Sequence, residues 1–235
     1  MGEIHHYASL PSTMLKAAEL AGDGCESGTV VVADEQTAGQ GRFGRSWYSA
    51  VGEGLYMSEV LRHKICPDSL PLVTLALGLA TAEAISLVAG VAPDLRWPND
   101  VLVNGKKCAG ILVQLCEGVL VAGIGINVNQ ASFPEELARV ATSLRQAAGR
   151  EFDRDRLLQR LIVSIDDAME SLMKSGRDAT LRAFAAASSY VSGRRVIVEP
   201  NLSGVTDGLD PQGFLWLRTD DGKRQLVLAG GVRPA

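Results

Sequence analysis

No pair of cysteines in this 235-residue chain has the spacing of a metal knuckle or a redox motif. Cys25, Cys66, Cys108 and Cys116 form no Cys-x-x-Cys, and no histidine stands at ligand spacing from any of them. The pattern predicts free thiols in a reducing, cytoplasmic setting. Positive charge is not in excess either: 23 Lys and Arg face 27 Asp and Glu, a net charge of −4, which argues against a general nucleic-acid binder. The first residues, Met1-Gly2-Glu3-Ile4-His5-His6, are polar and lack the apolar core of a signal peptide. His5 and His6 read as surface residues of the terminus. There is no repeat and no low-complexity tract. One apolar run, 70–91, is long enough for a membrane span. It contains Thr74, Thr81, Glu83 and Ser86 and lacks basic or aromatic anchors, with Pro71 placed for a first turn and Gly90 for a stop. A buried core helix is the better reading, with no membrane partner.

With 46% hydrophobic and 21% charged residues, the chain can bury a full core and carry one small appended domain. Ser12-Thr13 stands where a cap would open a helix over 14–21. Thr29-Val30-Val31-Val32-Ala33 reads as a buried strand, and 55–61 as another. Residues 95–97 and 101–103 flank a Pro-Asn-Asp turn. Asn104-Gly105 is a strong hairpin signal leading into strands over 108–115 and 119–126. From Asp153 the period becomes helical, with Leu157, Leu158, Leu161, Ile162, Ile165 and Met169 at three- and four-residue spacing. Near Ser188 it changes again, to short strands over 195–199, 202–207, 214–218 and 225–228. Such a cluster suggests a small barrel.

Three segments carry chemistry. Gly39-Gln40-Gly41-Arg42-Phe43-Gly44-Arg45-Ser46-Trp47 sets two arginines among three glycines, so backbone can fold over a ligand while guanidinium groups reach an anion. Arg96-Trp97-Pro98-Asn99-Asp100 puts a carboxamide beside a carboxylate, and Gly105-Lys106-Lys107-Cys108-Ala109-Gly110 returns a lysine. Together they suit the activation of a carboxylate by a nucleotide. Gly39-x-Gly41-x-x-Gly44, with Glu59 downstream, also satisfies the dinucleotide-binding pattern. That pattern belongs between a strand and a helix, whereas 47–55 reads as loop and strand, so its context is wrong.

The order and spacing of these blocks, with Ser12-Thr13, Glu35-Gln36-Thr37-Ala38, Gly110-Ile111-Leu112-Val113 and Gly123-Ile124-Gly125-Ile126-Asn127, resemble the biotin protein ligases over essentially the whole chain. The resemblance implies an α+β fold: a class II synthetase-like catalytic domain over 1–187, with a mixed, largely antiparallel sheet, then an SH3-like β-barrel over 188–235. It implies that Ser12, Thr13 and Gln36 line the pocket for biotin's ureido ring, with Gly39, Gly41 and Gly110 close to biotin. Arg42 is implied to contact the carboxylate and α-phosphate, and Lys107 to stand beside both, with Lys106 turned to solvent. Arg45 would serve the outer phosphates or hold the loop closed. Trp47, Asn99, Asp100 and Asn127 fall to the ATP side, Asp100 as a ligand for Mg²⁺ and as proton acceptor for an incoming lysine. Packing for Trp47, a helix cap for Ser12, turn roles for Asn99 and Asp100 and a strand-end role for Asn127 remain the plain alternatives.

Two positions depart from the family pattern: Gln40 stands where an arginine is frequent, and Met14 where an asparagine is. The implied reaction joins biotin and ATP into biotinyl-5′-AMP and passes biotin to a lysine of a biotin carboxyl carrier protein, as in acetyl-CoA carboxylase. A lipoate-type ligase of the same fold and a non-catalytic biotin- or nucleotide-binding regulator are the rival readings. Because the motifs begin by Ser12, a DNA-binding head is not expected, and neither is specific DNA binding. Homodimerisation is left open.

Overall fold

The computed structural model describes residues 2–63 and 67–235; Cys66 lies outside them. The chain opens with β1 (Ile4–Tyr7), α1 (Thr13–Gly22), β2 (Thr29–Ala33), β3 (Gly54–Leu61), α2 (Leu70–Ala89), β4 (Pro93–Arg96), β5 (Asp100–Val103), β6 (Lys106–Cys116) and β7 (Val119–Asn127). The short helices α3 (Glu135–Ala138) and α4 (Leu144–Ala148) lead to the long α5 (Arg154–Ala186). Then come β8 (Ser192–Val198), β9 (Leu202–Leu209), β10 (Leu215–Thr219), β11 (Arg224–Val227) and β12 (Val232–Pro234). Seven strands form one sheet in the order β1-β2-β3-β7-β6-β5-β4. Every ladder in it is antiparallel except β1–β2, in which His5 pairs with Val31 and His6 with Val32. The two histidines read as surface residues of the terminus therefore belong to an edge strand, where His6 is exposed and His5 half-buried.

The local sequence accounts for most of these elements. At the β5–β6 turn, Asn104 (φ 51°) and Gly105 (φ 74°) take the left-handed conformation that a tight hairpin requires. The helix α2 carries Pro71 in its first turn and ends on Gly90 in the left-handed conformation. Among the described residues it alone is long and apolar enough to cross a membrane, yet Leu75, Leu77, Ala84 and Ile85 are wholly buried. They pack with Leu157, Leu161 and Ile165 of α5 and with Met57, Ile111, Ile124 and Ile126 of the sheet into the main core. Each such aliphatic side chain contributes roughly 1.5–3 kcal/mol by leaving water.

The other face of the sheet is lightly covered. There α1 packs Met14, Ala17 and Ala21 on Val31, Val60 and Val121, leaving room beside its N-terminus. Ser12 has extended backbone at the helix start, but its hydroxyl makes no cap bond. Glu59 on β3 is 0% exposed, and neither carboxylate oxygen has a partner. Burial, with a smaller contribution from Asp166, pushes its carboxyl up to about 8.

The last five strands form a second sheet, ordered β11-β10-β9-β8-β12 and antiparallel throughout. Register shifts within β8–β9 and β9–β10 bend it. No ladder joins β11 to β12 among the described residues, so the expected barrel is hydrogen-bonded as an open row. Trp97 joins the two sheets, donating its indole N–H to the carbonyl of Gly213 at 2.9 Å from a buried position.

Candidate active site

On the α1 face, one cavity of ≈ 460 Å³ lies between the N-terminus of α1, the glycine-rich loop and strands β6 and β7. Glycines make its floor, so side chains from other elements can lie close on the strands. Gly110 pairs with Gly125 across β6–β7, and Leu112 with Gly123. A Cβ at Gly125 would stand 2.5 Å from the Trp47 ring, at Gly110 3.0 Å from it, and at Gly123 2.6 Å from Met14 Sδ. Met14, where an asparagine was expected from the family pattern, thus packs directly on the glycine floor. The alternation of Gly123 and Gly125 was the sequence signal for this floor, since strand residues two apart share a face.

At the α1 end, Gln36 Oε1 accepts hydrogen bonds from the Thr13 backbone N–H at 2.8 Å and its hydroxyl at 3.1 Å. Thr13 in turn accepts from Ser58 at 2.8 Å. Ser12 is 1% exposed, and its hydroxyl has no partner. The Trp47 indole N–H is likewise buried and unpartnered, and both residues line this cavity. A buried polar group without a partner costs about 1–3 kcal/mol, so two aimed into one cavity mark a place for a polar ligand.

The loop folds over the top. It makes a single 3-10 turn at Arg42–Gly44, flanked by a bridge between Gln40 and Ser46. No helix follows it, which removes the dinucleotide-binding reading. Gly39 fits because a Cβ there would meet the Trp47 carbonyl at 2.6 Å and Gln36 at 3.2 Å; Gly41 and Arg42 line the cavity. Arg42 Nη1 donates to Asn99 Oδ1 at 3.1 Å, and Asn99 Nδ2 donates to the Ile111 carbonyl at 2.9 Å. Burial lowers the Arg42 guanidinium below its ordinary value, Arg45 adds to this and Asp100 opposes it. Arg45 does not reach the cavity: its guanidinium is paired with Glu199 of the second sheet.

Lys107 and Asp100 form the charged wall. A register shift in β5–β6 turns Cys108 and Ala109 into the core, while Lys107 lies over Gly110 on the cavity side. Lys107 Nζ stands 2.5 Å from Asp100 Oδ1 and 5.3 Å from the centre of the Trp47 ring. Its backbone is pinned by bonds to Val140 and Thr142. Lys106 is exposed and donates to the Ala138 carbonyl at 2.9 Å. Asp100 also binds Arg96 at 2.7 Å. Burial alone would raise the Asp100 carboxyl, but Lys107 and Arg96 outweigh it and hold the group below its ordinary value. A carboxylate already shared by two cations is a poor metal ligand. No cluster of three metal-binding side chains occurs among the described residues, so the donor set does not fit a resident Mg²⁺.

A second cavity adjoins the first. Trp47 and Lys107 line both, and Arg96, Asn127, Phe133 and Val140 are among the residues of its wall. Asn127 is 5% exposed and donates to the Thr142 carbonyl at 3.0 Å, tying the end of β7 to the segment before α4. Phe133 and Val140, which form its apolar side, carry no motif that a sequence reading could have used.

The fold and the site together define a class: an α+β protein with a loop-covered cavity for an anion, next to a second cavity across a lysine–tryptophan wall. Residues 7–130 match the model of the biotin/lipoate A/B protein ligase family, and the chain belongs to that family. It is 38% identical to the bifunctional ligase/repressor BirA of Bacillus subtilis, over 97% of this chain and 74% of the relative. It is 32% identical to a biotin–acetyl-CoA-carboxylase ligase of Paracoccus denitrificans, over 96% and 98% respectively. The biotin protein ligase of Aquifex aeolicus, solved in complex with biotin and ATP, superposes over the full length of both chains with a TM-score of 0.88 at 30% identity.

Proposed function

We propose that this protein is an ATP-dependent biotin ligase that biotinylates a carboxyl carrier protein. The observation that carries the reading is the cavity with the unpartnered Ser12 hydroxyl and Trp47 N–H, roofed by Arg42 and walled by Lys107. Ser12, Thr13 and Gln36 supply hydroxyl and amide groups that match the carbonyl and N–H groups of a ureido ring. The space left between Met14 and Trp47, both lying on the glycine floor, suits a fused bicyclic ligand, whose carboxylate then extends toward Arg42 and Lys107. The nucleotide takes the adjoining cavity, its α-phosphate at the Trp47–Lys107 wall. Mg²⁺ enters with the phosphates of ATP, as part of that substrate, and not through a protein cage at Asp100.

In the first step a biotin carboxylate oxygen bonds to the α-phosphorus. The bond from that phosphorus to the bridging oxygen breaks, and pyrophosphate leaves. Negative charge builds on the phosphoryl oxygens, where Lys107 and Arg42 are already in place, so positioning and electrostatics carry the step without an enzyme nucleophile. In the second, a carrier lysine amine attacks the acyl carbon, the carbon–oxygen bond to phosphate breaks, AMP leaves and the nitrogen loses a proton. Asp100, held ionised by its two cations, is in the protonation state needed to receive that proton once Lys107 turns to the ligand. ATP–pyrophosphate exchange, run separately with biotin and with lipoate and followed by labelling of a carrier domain, tests the proposal. Exchange with lipoate alone would reject biotin as substrate, and no exchange with either would reject ligase activity.

A further inference from the structure

We propose that Glu199, in the second sheet, is a positioning residue for the glycine-rich loop, acting through Arg45. This rests on the ligase reading above and adds to it a role for the C-terminal sheet. The tip of the loop, residues 42–46, has no buried side chain and Phe43 is 63% exposed; the loop's apolar anchor, Trp47 on the glycine floor, lies behind it. Two guanidinium groups fasten the tip. Arg42 reaches inward to Asn99. Arg45 reaches outward across 154 positions of sequence and pairs with Glu199.

Glu199 is itself held. It follows β8, and its backbone N–H donates to the Gly231 carbonyl at 3.1 Å. The pair lies directly over Gly231, where a Cβ would stand 2.9 Å from Glu199 Oε2 and 3.6 Å from Arg45 Nη1. The bare backbone at 231 therefore makes the seat on which the two side chains meet. No other acidic residue pairs with Arg45, and no other basic residue with Glu199, among the described residues. Arg42 opens the 3-10 turn and Arg45 caps its end, so the Arg45 pair holds the end of the short turn from which Arg42 enters the cavity.

A half-exposed pair of this kind shifts an open–closed equilibrium only modestly, and salt screens it. The expected readout is the rate at which pre-formed biotinyl-adenylate leaves the full-length protein. Glu199→Gln should release it about two- to fivefold faster, with an unchanged thermal unfolding midpoint, and should flatten the rise in release rate with ionic strength that screening of the pair produces in the parent. Arg45→Gln should do the same, and the double variant should be no worse than either single one, since the two side chains act as one contact. Additive losses, or a Glu199→Gln release rate and salt profile equal to the parent's, would overturn the proposal. If the parent forms no adenylate, it is the ligase reading that fails. Gly231→Ala provides a variant with every charge retained; crowding the seat should also speed release, and retention as tight as the parent's would count against the clasp.

Discussion

At the scale of single residues, two lysines next to each other in sequence have different surroundings. Lys107 faces the cavity and Asp100, whereas Lys106 is exposed on a carbonyl of the α3 segment. Lys107→Ala should therefore slow adenylate formation by on the order of 3 kcal/mol, the loss typical of one preorganised charge-stabilising donor. Lys106→Ala should leave it within a factor of two or so; equal losses in single-turnover measurements would contradict the assignment. Glu59 offers a test of stability. Its folded carboxyl titrates near 8 and its unfolded one near the ordinary ~4.3, so the folded state holds the extra proton between those values. Stability should then fall as pH rises through that window, approaching 1.4 kcal/mol per unit at most (an order-of-magnitude slope), and level off above it. Glu59→Gln should flatten this decline in urea midpoints measured from pH 5 to 9, and an unchanged slope would show that another group is responsible.

At the scale of elements, much of the fold was legible in the sequence because its signals are local. Asn104-Gly105 fixed a hairpin, Pro71 and Gly90 bracketed α2, and β-branched runs marked β2 and the interior of the sheet. What was not legible depends on partners distant in sequence. The strand β1 is short and polar and exists because Val30–Ala33 offers it a parallel edge. The outward turn of Arg45 is set by Glu199, 154 positions away; Arg96 stands only four residues before Asp100, but their pairing comes from the β4–β5 register, which sets the two opposite each other. The candidate residues Ser12, Thr13, Gln36, Arg42 and Lys107 came from the family pattern, and all five line one cavity. The β6–β7 floor yields a further expectation. Gly125→Ala should displace the Trp47 ring that covers it, weakening ligand binding tenfold or more by calorimetry, roughly 1.4 kcal/mol, while circular dichroism stays that of the parent. Undiminished affinity would show that the ring position is not coupled to the ligand.

At the scale of the whole molecule, the two sheets share one hydrophobic core, which Val196, Val198, Leu215 and Leu217 of the second sheet enter, and the polar contacts that cross between them have distinct roles. The Trp97–Gly213 hydrogen bond is buried, so Trp97→Phe would leave a carbonyl without its donor. It should cost about 1–3 kcal/mol in chemical unfolding; no loss would mean that water or a shifted loop replaces the indole. The Arg45–Glu199 pair, in contrast, touches only the loop. The large sheet divides its duties by face: α2 and α5 cover one with the main core, and the other carries the small α1 cluster and the cavity. Stability and chemistry are therefore written into alternate residues of the same strands. The odd-numbered Leu55, Met57 and Leu61 of β3 answer to the main core, whereas Gly110, Gly123 and Gly125 answer to the small cluster and the ligand that must share the other face. A lineage built on this plan can change what it binds in small steps without first having to relearn how to fold.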